Sequence, residues 1–435
     1  MKLGDFQNKK ILVMGLGIHG GGLGVANFFS KIGANVTVTD LKTRKELRPS
    51  IKQLSGHPKL VLGQHNLVDF LKADLIVRNP GVPAESEFLA AARRANVPIE
   101  MESSLFFTLS PSKNIIGVTG TKGKTTTALL IGAILEKAGK DVKVAGNLRV
   151  SMLNLLSHIR KDTWLVLELS SWQLEGLGER KLSPHIAVLT NIYYDHLNRY
   201  KTFADYVEAK KNIFKFQKPS DFLVTKKDLA GVVKGAKSKV ILFSAKDESM
   251  ETLNASRLIG LHNLENIACA SKAAKIIGID EKVVVKALKD FCVPDRLEEI
   301  RVIDGVKFIN DTTATAPDAT VAAISSFSNA LILICGGADK NLDFSQMASA
   351  INRKVKKVIL LDGSATPKIA KLVNRKLVLG QFSNLRKAVN KAWEVSEAGD
   401  VILLSPGCAS FGMFKNEFDR GEQFKKIVSE LKSKA

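Results

Sequence analysis

Residues 114–127 read NIIGVTGTKGKTTT, an apolar run that passes into a loop rich in glycine, lysine and threonine. Apolar residues at helical spacing follow, and Gly139 is placed to end that helix. Such a strand–loop–helix unit binds phosphate, because backbone N–H groups and the positive helix N-terminus face the anion. The strict P-loop pattern needs a glycine where this chain has Val118, so the loop is a variant. The segment predicts a nucleotide-binding α/β domain, with a flexible turn carrying chance lysines as the alternative.

The residue types in this loop predict individual roles. Lys124 is expected to neutralise the β- and γ-phosphates of ATP, and the Thr125 hydroxyl is expected to bind Mg²⁺. The full set of predicted phosphate-binding residues is Gly120, Thr121, Lys122, Gly123, Lys124, Thr125 and Thr126.

Short apolar runs alternate with amphipathic stretches on both sides of this loop, as in parallel sheets covered by helices. The chain has 435 residues, too many for one hydrophobic core. The predicted fold class is α/β with three consecutive domains. These are an N-terminal Rossmann-like domain (1–110), a central P-loop ATPase-type domain with a parallel or mixed sheet (111–293), and a C-terminal Rossmann-like domain (294–435).

The composition excludes several classes of protein. The net charge is +21, from 64 basic and 43 acidic residues, but the basic residues are dispersed and form no nucleic-acid motif. No apolar run approaches the roughly 18 residues of a membrane span, and the N-terminus is polar. The four cysteines have no metal-like spacing and are interpreted as small buried hydrophobes. We expect a cytoplasmic monomer that neither binds nucleic acid nor inserts into a membrane.

Two further polar positions follow predicted strands. Glu168 ends a buried run, where a carboxylate needs a cation or a partner unless it reaches solvent. Asp195 and His196 lie just beyond the next strand, where α/β sheets place ligands, although such a pair also forms ordinary loop hydrogen bonds.

Lys210 lies in an apolar stripe of the helix predicted over 203–214, together with Tyr206, Ile213 and Phe214. One interpretation is that its ammonium group snorkels to the surface. The sharper hypothesis is a lysine of lowered pKa that CO₂ carbamylates, because a carbamate binds metal where an ammonium cannot.

The N-terminal segment carries a dinucleotide-type fingerprint. GLGIHG at residues 15–20 follows a strand, and Asp40 ends the next one. Taken alone, this pattern favours NAD.

Four ordered segments, Gly120–Thr126, Leu167–Glu175, Asp195–Tyr200 and Gly260–Asn266, together resemble the Mur ligases of peptidoglycan synthesis. The resemblance covers essentially the whole chain. It implies an ATP-dependent amide-bond ligase that forms an acyl phosphate and serves cell-wall synthesis, cell shape and cell division. Leu404–Asn416 resembles the branch that joins D-glutamate to UDP-N-acetylmuramoyl-L-alanine. The alternatives are a sibling ligase that adds a different amino acid and a nonenzymatic nucleotide-binding regulator derived from a ligase.

The resemblance also implies site residues. Lys124, His196 and Lys210 are the expected catalytic residues. The expected ligands of Mg²⁺, with two ions in all, are Thr125, Glu168, His196 and the carbamate of Lys210. Further nucleotide contacts are Asn263, Asn266, Arg296 and Asp311. The UDP precursor, whose UDP part takes the place of NAD in this family, is expected at Gly17, Ile18, His19, Asp40, Asn79, Gly81 and Asn147. The D-glutamate positions are Thr315, Lys340, Ser410 and Phe418, with Phe411 as a further substrate contact. Arg149 and Thr313 depart from the pattern of the family.

Overall fold

The computed structural model describes residues 2–18, 20–147, 151–195, 199–256, 258–260 and 262–434. The chain divides into two compact units, Met1–Ser256 with Leu264–Lys289, and Arg257–Asn263 with Asp290–Ala435. Across the part of the chain that the structure describes, no helix has both the length and the apolar character needed to cross a bilayer.

The first sheet of the first unit is parallel. Its strands are β1 (Lys10–Met14), β2 (Asn35–Asp40), β3 (Lys59–Leu62), β4 (Leu75–Arg78) and β5 (Ile99–Glu100). The helices are α1 (Gly21–Lys31), α2 (Arg48–Ile51), α3 (Leu67–Leu71), α4 (Glu87–Arg94) and α5 (Glu102–Leu109). Within the described residues the strand order is β3-β2-β1-β4-β5. Residues 11–14 of β1 are all buried, because apolar clusters cover both faces of the sheet.

The second sheet of this unit is also parallel, in the order β11-β10-β9-β6-β8-β7 for the described strands. The strands are β6 (Ile115–Thr119), β7 (Val142–Gly146), β8 (Trp164–Glu168), β9 (Ile186–Leu189), β10 (Phe222–Lys226) and β11 (Lys239–Phe243). The helices are α6 (Lys124–Lys137), α7 (Ser171–Glu179), α8 (Phe203–Lys211), α9 (Met250–Asn254), α10 (His262–Ile276) and α11 (Glu281–Asp290).

The second unit is built on a mixed sheet in the order β12-β13-β17-β14-β15-β16, in which β12 runs antiparallel to β13. The strands are β12 (Glu298–Ile303), β13 (Val306–Asn310), β14 (Leu331–Cys335), β15 (Val355–Leu361), β16 (Val378–Phe382) and β17 (Val401–Leu404). The helices are α12 (Pro317–Ser325), α13 (Ser345–Lys354), α14 (Thr366–Leu372), α15 (Leu385–Val395) and α16 (Glu417–Glu430). Short 3₁₀ turns span Leu3–Phe6, Leu153–His158, Lys227–Leu229, Ala245–Asp247 and Arg375–Leu377.

The first two sheets share one apolar core and are also joined by polar contacts. Arg78 is fully buried and pairs with Glu179 over 3.2 Å. Arg180 pairs with the buried Glu100, and the Ser103 hydroxyl donates to the Gln173 carbonyl over 2.8 Å. These contacts fix the N-terminal sheet against the sheet that carries the phosphate loop.

The predicted α/β fold class is confirmed by the three sheets and their connecting helices. The domain boundaries at 110/111 and 293/294 stay predictions. The prediction of four buried cysteines is wrong for Cys292, which is exposed in the connection between α11 and β12. Helix α8 ends at Lys211, three residues before the predicted end. Ile213 and Phe214 are nevertheless buried, because the turn after the helix still faces the core.

Candidate active site

The carboxyl edge of the second sheet carries the phosphate loop, and two of the predicted catalytic residues, Lys124 and Lys210, contact this loop. The register places Glu168 opposite both Val118 of β6 and Gly146 of β7. Strand β9 pairs with the other side of β6. Because all these strands are parallel, the segments that follow them emerge side by side.

The phosphate loop has a shape that requires its glycines. Gly120 and Gly123 have φ angles of +156° and +79°. A Cβ on Gly120 would lie 1.9 Å from Oγ1 of Thr190, and one on Gly123 would lie 2.3 Å from Oδ1 of Asn266. The loop runs into the N-terminus of α6, which begins at Lys124. Its Nζ donates to the carbonyl oxygens of Gly120 and Thr121, each over 3.0 Å.

Glu168 links two predicted site residues. Its Oε2 accepts a 2.8 Å hydrogen bond from the Thr125 hydroxyl, and its Oε1 accepts one of 3.0 Å from Nδ2 of Asn147. The carboxylate is buried at the end of β8. One carboxylate and one hydroxyl are hard oxygen donors that fit Mg²⁺, whose other ligands are normally water and phosphate. The described residues contain no group of three or more His, Cys, Asp or Glu side chains that could hold a metal.

Lys210 faces inward, as predicted, with only 2% of its surface exposed, so the snorkelling alternative is wrong. Its Nζ donates to the Gly120 carbonyl over 2.8 Å and lies 4.8 Å from the centre of the Tyr206 ring. Burial, and then the charge of Lys124, lower the pKa of Lys210 to about 7, although Asp195 acts in the opposite direction. The predicted metal ligand His196 lies outside the described residues, as does Arg149.

Sequence analysis missed Asn191 and Tyr206. The Asn191 side chain hydrogen-bonds to the backbone of Thr121 and Lys122. The Tyr206 hydroxyl lies 3.0 Å from Oγ1 of Thr121. The position of Asn191 in the sequence could have indicated a role in the site. It comes just after a strand that ends at the same sheet edge as the phosphate loop.

The fingerprint loop of the first sheet is closed by Asp40. Its Oδ2 accepts from the Gly17 amide over 3.0 Å, and its Oδ1 accepts from the Lys42 amide over 2.9 Å. Oδ1 of Asn79 accepts from the Gly81 amide over 3.0 Å, and a Cβ on Gly15 would meet the Cβ of Asn79 at 3.0 Å. The structure therefore brings Gly17, Asp40, Asn79 and Gly81, which are predicted precursor residues, to one edge of this sheet. Ile18 is exposed there, and His19 lies outside the described residues.

Backbone hydrogen bonds join three loops at the carboxyl edge of the second unit's sheet. Ala338 and Ala409 exchange two such bonds of 2.9 and 3.1 Å, and the Gly407 amide donates to the Ala314 carbonyl over 2.8 Å. These loops carry the predicted D-glutamate residues Thr315, Lys340 and Ser410. Ser410 is buried, whereas Lys340, Phe411 and Phe418 are exposed.

The remaining predicted nucleotide contacts are divided between the two units. Asn266 lies beside the phosphate loop, where its Oδ1 is 3.4 Å from the Thr127 hydroxyl. Asp311 of the second unit is buried, accepts from the Ser405 hydroxyl over 2.7 Å, and has its pKa raised to about 7 by burial. Arg296 is exposed, and Nδ2 of Asn263 donates to the Ile259 carbonyl over 2.8 Å.

Family models match most of the chain. Residues 9–100 match "Mur ligase MurD-like, N-terminal domain", residues 118–274 match "Mur ligase middle domain", and residues 295–408 match "Mur ligase, glutamate ligase domain".

Two curated relatives are similar over nearly their whole length. The UDP-N-acetylmuramoylalanine–D-glutamate ligase of Roseiflexus sp. (strain RS-1) is 45% identical, over 98% of this chain and 99% of the relative. The protein of the same name from Borreliella afzelii (strain PKo) is 39% identical, over 99% of this chain and 100% of the relative. Among solved structures, the UDP-N-acetylmuramate-alanine ligase of Thermotoga maritima covers 98% of this chain and 100% of its own, with a TM-score of 0.61 and 19% identity. At that identity the likeness concerns the fold alone.

Proposed function

Because this chain belongs to the Mur ligase family, we propose that it joins D-glutamate to UDP-N-acetylmuramoyl-L-alanine at the expense of ATP, producing a peptidoglycan precursor. The observation that carries the proposed chemistry is the contact of Thr125 and Asn147 with Glu168 beside the phosphate loop. The choice of D-glutamate is supported by the names of the relatives and by the similarity in both outer domains.

The first step is an in-line transfer of the γ-phosphoryl group. A carboxylate oxygen of the alanyl group attacks the γ-phosphorus, so that an O–P bond forms, the bond to the β–γ bridging oxygen breaks, and ADP leaves. Catalysis of such a transfer is mainly positioning and charge stabilisation. The ammonium group of Lys124 and the N-terminus of α6 supply positive charge at the transferring group.

The second step forms the amide. The free amine of D-glutamate attacks the acyl carbon, so that a C–N bond forms, the C–O bond to phosphate breaks, and the nitrogen releases a proton. Thr315, Lys340 and Ser410 hold the amino acid in this proposal, with Phe411 and Phe418 beside it. The exposed ammonium group of Lys340 suits a carboxylate of D-glutamate. The backbone bonds that join the three loops support this assignment.

Thr125 and Glu168 are the proposed ligands of one Mg²⁺, which neutralises phosphate charge when bound. We assign a second ion to His196 and a carbamate on Lys210. The fit of Lys210 rests on its burial and lowered pKa, since only a neutral amine attacks CO₂. Asn263, Asn266, Arg296 and Asp311 complete the proposed nucleotide site.

The N-terminal sheet takes the UDP part of the precursor in this proposal, rather than NAD. The N-terminus of α1 faces the diphosphate, and Asp40 and the turn of Asn79 and Gly81 form the uridine side. The contacts of Asp40 with the loop amides support a preformed site. We propose that the chain acts as a monomer. Its dependence on ATP favours action in the cytoplasm.

The test is ADP release by the purified chain with a panel of UDP-muramoyl precursors and amino acids. We expect release only when UDP-N-acetylmuramoyl-L-alanine and D-glutamate are both present. Release with the unsubstituted UDP-sugar and L-alanine would identify a sibling ligase instead. Nucleotide binding without ADP release from any pair would favour the nonenzymatic regulator.

A further inference from the structure

We propose that Asn191 is a positioning residue that gives the phosphate loop its shape before ATP arrives. The inference rests on the proposed use of this loop for ATP. In this proposal the backbone amides of Thr121 and Lys122 bind Asn191 and stabilise the loop. The phosphates of ATP bind instead to the amides at the start of α6.

The Asn191 side chain makes three hydrogen bonds to two consecutive loop residues. Its Oδ1 accepts from the amides of Thr121 and Lys122 over 3.1 and 2.8 Å, and its Nδ2 donates to the Lys122 carbonyl over 3.0 Å. The Thr121 amide is also 3.0 Å from the backbone carbonyl of Asn191. A carboxamide suits this position because it accepts from N–H and donates to C=O at the same time.

The neighbouring residue strengthens the attachment. The Thr190 hydroxyl donates to the Lys122 carbonyl over 2.7 Å. Thr190 also lies where a Cβ on Gly120 would be, so Gly120 can pass closely by the end of β9. Loop residues 120–122 are therefore held to the strand next to their own.

These contacts account for the departure of the loop from the strict P-loop pattern. The residue at the usual first glycine is Val118, which is buried within β6. Strand β6 therefore extends past the position where the strict pattern has its first glycine. The loop also has fewer glycines, which are the residues that most easily adopt the φ angles of tight turns. Asn191, which lies just after the adjacent strand β9, supplies external support for the same backbone.

The assignment also divides the loop amides by function. Amides bound to Asn191 are oriented toward a neutral side chain of the protein. The amides of 123–126 belong to the first turn of α6 and its approach, where the positive end of the helix dipole favours an anion. The phosphate contacts of this chain are expected there.

The test compares Asn191→Ala and Asn191→Asp with the wild-type chain by titration calorimetry with AMP, ADP and a nonhydrolysable ATP analogue, each with Mg²⁺. Asn191→Ala is expected to weaken the binding of the ATP analogue 10- to 100-fold, on the order of what three lost hydrogen bonds are worth. The loss should shrink from ATP to ADP to AMP, because the loop holds phosphates and not the base. The affinity for the UDP precursor should not change.

Asn191→Asp keeps the side-chain volume and both accepted bonds but places a negative charge beside the phosphates. It is expected to weaken ATP binding and spare AMP, and it remains informative if the alanine variant fails to fold. The matched control is Asn114→Ala, at the opposite edge of the same sheet, where Nδ2 donates only to the Asp162 carbonyl over 3.3 Å. This control should bind all three nucleotides normally.

Unchanged or tighter ATP binding by Asn191→Ala would overturn the inference, because it would mean that Oδ1 of Asn191 competes with phosphate for the amides of Thr121 and Lys122. An equal loss for AMP and ATP would also overturn it, since that pattern indicates general damage. If the wild-type chain bound no ATP, the proposed function would fail together with the inference.

Discussion

The Nζ atoms of Lys124 and Lys210 both donate to the carbonyl oxygen of Gly120, over 3.0 and 2.8 Å. Two ammonium groups that share one acceptor repel each other, and the more buried one loses its proton more readily. Burial and this repulsion lower the pKa of Lys210 to about 7. The lowered pKa increases the fraction of Lys210 side chains that are neutral amines near pH 7. Lys124 of the phosphate loop thus helps to lower the pKa of Lys210, the lysine that is proposed to react with CO₂.

Replacement of Lys210 tests its proposed metal role. Lys210→Ala is expected to lower kcat at least about 100-fold, because the variant cannot form the carbamate whose oxygens are proposed to bind the metal. Acetate at high concentration should restore part of the activity, since a free carboxylate fits the space left by the lysine. Initial rates of ADP release measure both effects.

The control for this replacement is Lys211→Ala. Lys211 follows Lys210 on α8 and pairs with Glu208 over 2.7 Å on the surface. This variant should keep normal activity. Near-normal turnover of Lys210→Ala would refute the carbamate assignment.

Carbamylation of Lys210 should depend on pH in a known direction. A lysine whose pKa is about 7 is mostly charged at pH 6 and mostly neutral at pH 8, and only the neutral form adds CO₂. The ¹³C NMR signal of a carbamate, formed with labelled bicarbonate, is expected at pH 8 and should decline through pH 7. Lys210→Ala should lack the signal at every pH. A signal that persists in that variant would have to come from another amine.

Glu168→Gln is expected to weaken Mg²⁺ binding while the protein still folds. The amide keeps the size of the side chain but loses the charge that holds a divalent cation. We expect kcat to fall about 100-fold or more and the Mg²⁺ concentration for half-maximal activity to rise. Glu208→Gln, the same change on the exposed face of α8, should leave both quantities unchanged. A normal Mg²⁺ titration for Glu168→Gln would remove this residue from the metal site.

The fold was predictable because it depends on patterns of neighbouring residues. Buried runs such as 115–119 and 165–168 appear as strands by composition, and the glycines of the phosphate loop mark the turn between strand and helix. The inward direction of Lys210 followed from helical spacing. The early end of α8 did not, because Ile213 and Phe214 stay buried in the turn after the helix.

Contacts between segments were harder to predict. The position of Asn191 next to Thr121 depends on strand β9 lying beside β6, and strand order is not written in local spacing. A single asparagine also has many uses in loops, so its residue type alone carries little information. The exposure of Cys292 was missed for a related reason, since an apolar residue type does not reveal whether a connection faces the core.

Gly22 lies in the first turn of α1, close to the fingerprint loop. A Cβ at this position would lie 2.1 Å from the Gly15 carbonyl oxygen and 2.6 Å from that of Leu16. Both obstacles are backbone atoms of the fingerprint loop, which cannot rotate away as a flexible side chain can. Gly22→Ala is therefore expected to displace this loop, raise KM for the UDP precursor at least about tenfold, and cost about 1–3 kcal/mol of stability. KM for ATP should stay unchanged.

Gly4→Ala is the control, because a Cβ there meets nothing within 4 Å. Steady-state kinetics and thermal unfolding of both variants provide the comparison. An unchanged KM for the UDP precursor in Gly22→Ala would show that the fingerprint loop does not bind it.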